Sequence, residues 1–453
     1  MTFIFSCAKK QTPHTYFPET GGNALYQRAL DLRSNLRVLS IALQPGFEDW
    51  SALAYFRLGR GATAMSAYLT NGEAGESDVQ GEYPSYLAVV RREEAVRAMG
   101  LLGSDARFLN LPDITAASDS AQVQELWPSD TLNLRLGRLI SNFKPDLILV
   151  ARDWQFGKQS LRWHIFRSEV MAAVKSVAAA KIAEFFIVAD TYHAWPTPRV
   201  AIDEGERQGD VPVPINERHP RWKKSYAAIG EEAARAYASL AVQRKAWSQN
   251  QRPSYLVAYP SRPPAPSHID SGLPLPVSGR LRNLEIQVEY LTAATLDGKT
   301  DQALPRVVTI MDSVDYFLGR QYELLPAERR TLLGWKSGLE NLRCTLLGVE
   351  VDYTVTDTLL TGRQLTYVFV NKVKGIKGEG TTEIFFAGLD QGWVVNEDVQ
   401  QRLPLQIGQE YRLLTPQPVT YNFPAAQHPF QPATVGRAIP LLVIHRASSK
   451  EQS

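Results

Sequence analysis

The residues best placed to do chemistry gather in one short loop. Gln44-Pro45-Gly46-Phe47-Glu48-Asp49 follows an apolar strand, Leu36 to Ala42, and leads into a helix, Trp50 to Leu58, and a second strand, Ala64 to Leu69. Pro and Gly cannot continue a ladder, so the first strand must end there. Strand, loop, helix and strand make a βαβ unit, and ligands in such sheets sit outside the carboxyl ends of the strands. Gln44, Glu48 and Asp49 therefore stand at the expected ligand edge. A later strand, Asp146 to Ala151, brings Asp153 and Gln159 to the same edge, and Arg91 lies on a helix between them. Amides, carboxylates and one guanidinium, with Phe47, Trp50 and Trp154 as aromatic surface, are the makings of a ligand pocket. The seven histidines show no metal-ligand spacing.

A wider set of motifs surrounds this loop. Thr70-Asn71-Gly72-Glu73-Ala74-Gly75 follows the second strand, and Arg91-Arg92-Glu93-Glu94 sits early in a helix. Gly100 to Asp113 (GLLGSDARFLNLPD) reads as turn, strand and Leu-Pro-Asp, and Lys144 to Val150 as a strand entry. In this order, over Leu36 to about Val174, they resemble the PIG-L/LmbE family of zinc-dependent de-N-acetylases. The resemblance implies a Rossmann-like α/β domain with a parallel sheet.

The family's chemistry does not carry over residue by residue. Its first motif, His-Pro-Asp-Asp-Glu, uses the His and the second Asp as zinc ligands and the first Asp as general base. The matching positions here are Gln44, Phe47 and Gly46; only Pro45 and Glu48 agree. The last ligand, from His-x-x-His, falls at Gln159 in Phe156-Gly157-Lys158-Gln159, and Lys158 stands where an Asp usually supports the base. Catalytic zinc is held by about three thiolate, imidazole or carboxylate ligands plus water. Without metal and base, nothing lowers the pKa of water or takes its proton.

The expectation is a catalytically degenerate member of that fold, with no catalytic residues, no metal ligands and the family zinc absent. Its pocket would be Gln44, Glu48, Asp49, Arg91, Asp153 and Gln159, binding a glycan or amino sugar, or else the chain would engage an envelope protein. Two alternatives stay open: an active de-N-acetylase with a displaced metal site at Asp49, Asp153 or His164, and a purely structural scaffold. Asp190 and His193 form a further polar pair after an expected strand, Ala183 to Ala189.

A chain of 453 residues with 44% apolar content can bury more than one core. A net charge of +2 gives no signal for nucleic acid. No apolar run reaches the roughly 20 residues of a membrane helix. Cys7 and Cys344 have unlike surroundings, so a disulfide is not expected. The start, MTFIFSCAKKQTP, switches abruptly from apolar to Cys to polar. It reads as the tail of a truncated bacterial lipoprotein signal, with Cys7 lipidated and the protein on the periplasmic side of the envelope; the alternative is a cytoplasmic protein with an unstructured tail.

The elements divide the chain into a tether (1–21), the α/β domain (22–260), a Pro-rich linker (261–280), a helical section (281–348) and a β-sandwich-like domain (349–447). Helical spacing is expected over Gly22–Arg33, packed on the sheet edge, and over Ala88–Leu102, where Arg91 and Glu94 pair at i, i+3. Further helices are expected over Gln122–Asn142, Leu161–Val177, Trp222–Trp247, Leu281–Leu296, Leu304–Gln321 and Pro326–Leu347. From Val349 the period changes to two, with Gly-containing turns, which predicts short antiparallel strands.

Overall fold

The computed structural model describes residues 21–74, 77, 84–115, 117, 119–151, 161–187, 199–203, 211–240, 254–259, 269, 279–320, 324, 326–355, 365–374, 380–386, 394–395, 410–414 and 441–447. The expected α/β architecture is present. Strands β1 (Arg37–Ala42), β2 (Thr63–Thr70), β3 (Asp105–Leu111), β4 (Leu147–Val150), β5 (Arg199–Asp203), β6 (Val211–Pro212) and β7 (Ser254–Tyr259) form one sheet in the order β3-β2-β1-β4-β5-β7-β6. The run from β3 to β5 is parallel, and β7 joins β5 antiparallel. The central strands, RVLSIA and LILV, are buried along nearly their whole length, as strands covered on both faces must be. The order reverses between β1 and β4, so the crevice lies beyond their carboxyl ends.

Helices α2 (Trp50–Ala54, continued by a π turn Tyr55–Gly59), α3 (Pro84–Leu102), α4 (Ser120–Leu126), α5 (Ser129–Phe143), α6 (Leu161–Ile187) and α7 (Tyr226–Ala234) pack around this sheet. Three expectations are corrected. The helix over Gln122–Asn142 is broken at Pro128, which lacks an N–H and holds Trp127 outside the helical region. Ala183–Ile187 continues α6 instead of forming a strand, and the strand beside β4 is Arg199–Asp203. A short apolar run carries no period of its own, and here it follows the strong helix formers AAAK. The helix expected over Trp222–Trp247 starts only at Tyr226, after Ser225 caps it by accepting from the Ala228 N–H. It ends at Ala234, before a 3₁₀ turn Ala238–Leu240.

The helical section is α8 (Arg282–Leu296), α9 (Thr300–Gly319) and α10 (Pro326–Leu346). Its core joins Leu284, Val288, Leu291, Val307, Ile310, Val314, Trp335 and Leu339 to Leu25, Ala29 and Leu32 of α1 (Gly21–Arg33). The apolar face of α1 therefore packs into the helices, not onto the sheet edge as its position in the chain suggested. Its other side meets the α/β part: Tyr26 lies edge-on to His219, and Arg57 bridges both carboxylate oxygens of Asp31 at 2.6 and 2.8 Å.

The C-terminal region is antiparallel, as expected. β8 (Glu350–Val355), β9 (Leu365–Lys374), β11 (Val394–Val395) and β12 (Glu410–Leu414) make a sheet in the order β11-β12-β9-β8, and β10 (Gly380–Phe386) pairs with β13 (Leu441–Ala447). These are two separate sheets, and the expected sandwich is not established. Parts of the C-terminal region lie outside the described residues. So do the Cys7 tether and most of the Pro-rich stretch.

Candidate functional site

The loop after β1 is built around a positive-φ glycine and a buried carboxylate. Gly46 has φ +88, a conformation L side chains rarely adopt, and the Phe47 N–H closes the turn onto the Gln44 carbonyl at 3.2 Å. Glu48 is fully buried and accepts from the Gly46 N–H (2.8 Å), the Tyr68 hydroxyl (2.9 Å) and the Tyr237 hydroxyl (2.5 Å). Burial pushes its carboxyl pKa up; hydrogen bonds from Tyr237, its own backbone, Trp50 and Tyr68 act against that. Both tyrosine hydroxyls are held well above their ordinary value, first by burial and then by the neighbouring carboxylate.

Asp49 caps α2, its Oδ1 accepting from the Ala52 N–H at 3.0 Å. That occupation is structural and explains why an Asp stands there. Beside the loop, Arg91 of α3 is buried and donates to the Gly72 carbonyl at 2.5 Å. Gly72, with φ +70, has no room for a Cβ, which would fall 2.6 Å from Arg91 Nη1 and 3.3 Å from Gln44 Oε1. Four of the six expected pocket residues thus converge: Gln44, Glu48, Asp49 and Arg91 are each at most 4% exposed. They are brought together as packed groups, not as an open lining. Asp153 and Gln159 lie outside the described residues, as do Trp154, Lys158, Asp190 and His193. His164 is described and exposed on α6.

Glu94 was expected to pair with Arg91 along α3. Its carboxylate accepts from the Ser239 N–H (2.9 Å) and hydroxyl (2.6 Å). Sequence reasoning missed Tyr237, Ser239 and Leu240 altogether, because no local pattern marks residues of a 3₁₀ turn that meet the loop only in three dimensions.

It also gave no role to a second acidic cluster. Glu73 Oε1 accepts from the Asp113 N–H at 3.1 Å, and Asp113 accepts from the Thr115 N–H at 2.7 Å. Arg162 donates to the Thr115 hydroxyl at 2.8 Å. Burial, then the charge of Asp113, pushes Glu73 up to about 7. The usable signal was topological: β2 and β3 are parallel neighbours, so the acidic residues after each must meet at one edge.

The zinc implied by the resemblance does not fit the described turn. Gln44 offers a neutral amide and Phe47 a buried ring. At position 46 a Cβ would fall 2.3 Å from Leu240 Cδ1 and 3.6 Å from Tyr237 Cδ1. Leu240 is itself buried, 1% exposed. Among the described residues, no group of three or more His, Cys, Asp or Glu gathers in a way that could hold a metal ion.

The PIG-L family, described as GlcNAc-PI de-N-acetylase, matches residues 51–165. Solved structures similar to the chain include N,N'-diacetylchitobiose deacetylase from Pyrococcus horikoshii, at 17% identity over 45% of this chain and 70% of that chain, TM-score 0.30. A deacetylase of the teicoplanin biosynthesis pathway is similar at 13% identity, 48% and 96% coverage and TM-score 0.33. The 4-carboxy-2-hydroxymuconate hydratase GalB from Pseudomonas putida KT2440 is similar at 14% identity, 50% and 98% coverage and TM-score 0.30. A search of curated proteins finds no match.

Proposed function

We propose that this chain, whose residues 51–165 are a PIG-L-family segment, is a non-catalytic protein of deacetylase fold that acts by binding. The observation that carries this reading is at Gly46, the general-base position of the resembled motif. It holds no side chain, and its Cβ direction is filled by Leu240. A carboxylate there would collide with packed core. With Gln44 and Phe47 at the ligand positions and Gly46 at the base position, the turn offers neither the zinc ligands nor the general base of the resembled motif.

The direct test is purification with added zinc, followed by metal analysis and an acetate-release assay on N-acetylated amino sugars. We expect no stoichiometric metal and no acetate. A stoichiometric, chelator-sensitive metal, or acetate released faster than by a buffer control, would sink the reading and revive the alternative of a displaced catalytic site.

What is bound follows in two forms. A glycan or amino sugar would lie against Gln44, Glu48, Asp49, Arg91, Asp153 and Gln159; titration of amino sugars and cell-wall fragments tests this, and binding unchanged by Gln44→Ala with Gln159→Ala defeats it. The burial of the four described members favours the second form, in which the fold serves as a scaffold and an envelope protein is engaged elsewhere. Attachment through Cys7 belongs to the same proposal. Absence of acyl label on Cys7 in the native gene product would remove the anchor.

A further inference from the structure

The residues that close the first turn come from one short stretch, Tyr226 to Leu240, and three separate contacts fasten it. Gly230 of α7 lies against the first turn of α2 so closely that a Cβ would fall 2.7 Å from the Ser51 nitrogen and from the Trp50 carbonyl carbon. Tyr237 donates its hydroxyl to Glu48 and packs its ring against Trp50, with centroids 5.8 Å apart. Ser239 gives both its N–H and its hydroxyl to Glu94. Leu240 then fills the space in front of Gly46.

We infer that Tyr226–Leu240 is an intrinsic plug: a segment of the chain's own that occupies the sheet-edge turn, with Leu240 in the volume a side chain at position 46 would need. Reading it as the occupant of a site without catalysis rests on the non-catalytic proposal above. Glu48 and Glu94 both belong to stretches that resemble family motifs, and here both serve as buried anchors for this segment. They are held in place by the plug's hydrogen bonds, since a buried carboxylate without donors is costly. At position 46 the volume a side chain would need is taken by Leu240.

A double-mutant cycle on the full chain tests this. Gly46→Ala, Leu240→Ala and the double variant are compared with the parent by thermal midpoint. The backbone strain of Ala at positive φ is common to both Gly46→Ala backgrounds and cancels in the cycle. We expect Gly46→Ala to lower the midpoint by several degrees, and the double variant to fall by clearly less than the sum of the two single losses. Leu339→Ala, in the separate helical core, serves as the additive control. Additive losses at Gly46 and Leu240 overturn the plug. Should Gly46→Ala fail to fold, folding of the double variant supports the proposal and failure of both overturns it. Zinc or acetate release by the parent chain sinks the non-catalytic reading and leaves this cycle unaffected, so the two failures are distinguishable.

Discussion

Tyr237 and Glu48 stand 189 residues apart in sequence and meet through a hydrogen bond of 2.5 Å. The same carboxylate oxygen accepts from Tyr68 of β2, whose ring stacks on Phe108 of β3. One buried carboxyl group thus ties the residue before the 3₁₀ turn, a strand and the loop after β1 into a single unit. Its hydrogen bonds are complete only when all three parts are in place, which is what makes such a network specify one arrangement.

Glu48 gives the first prediction. Burial raises its pKa in the folded chain above the unfolded value. A group of that sign contributes stability that is fully present below the ordinary carboxylate pKa and is lost as pH rises through the folded value. Glu48→Gln keeps an acceptor oxygen for the tyrosines and removes the titration. The stability difference between Glu48→Gln and the parent should therefore shift in favour of the variant as pH rises above the ordinary carboxylate range, measured by denaturant unfolding. Tyr237→Phe removes a donor from the buried carboxylate and should cost about 1–3 kcal/mol. A difference between parent and Glu48→Gln that does not change with pH would refute the assignment.

Glu73 gives the second. With burial and then Asp113 pushing it to about 7, it titrates near neutrality. The sign is the same: its contribution is complete below the ordinary carboxylate range and is lost as pH rises through about 7. Asp113→Asn removes the neighbouring charge and should bring the Glu73 pKa down toward the ordinary value, read by carboxyl-carbon NMR titration. It also deprives the Ala74 N–H of an acceptor if the amide nitrogen faces it, so the titration, not stability, is the decisive readout. An unchanged Glu73 midpoint in Asp113→Asn would show that Asp113 is not a significant perturber.

The doubly wound sheet was legible because its signals are local. Apolar runs ended by Pro45-Gly46, by Thr70-x-Gly72 and by the Leu111-Pro112-Asp113 corner mark strand ends, and the family resemblance ordered them. The convergence of Gln44, Glu48, Asp49 and Arg91 follows from that topology. What the sequence did not disclose was occupation. Asp49, read as a pocket carboxylate, also caps α2, and Glu94, read beside Arg91, also binds Ser239. In both cases the residue type was compatible with either use, and the competing partner was a backbone N–H or a distant turn that no spacing rule addresses. Helix ends failed for similar reasons, at Pro128 and at Ser225, where a single residue's stereochemistry outweighed the apolar pattern.

The place of α1 is the third prediction. Leu32 is buried in the helical core, its carbonyl accepts from Trp335 Nε1 at 2.7 Å, and its side chain lies where a Cβ on Gly338 would fall, 2.5 Å from Leu32 Cδ2. Arg28 reaches the Asn341 carbonyl and Thr292 the Ala29 carbonyl, so α8 and α10 both take α1 as a neighbour. Leu32→Ala should then destabilise by about 2–5 kcal/mol, as core Leu truncations do. The loss should appear as faster amide exchange in α8 and α10 as well as in α1, with β1 and β2 little changed. Faster exchange confined to the sheet would mean that α1 belongs to the α/β part after all, as its position before β1 first suggested, and that the helical section holds together without it.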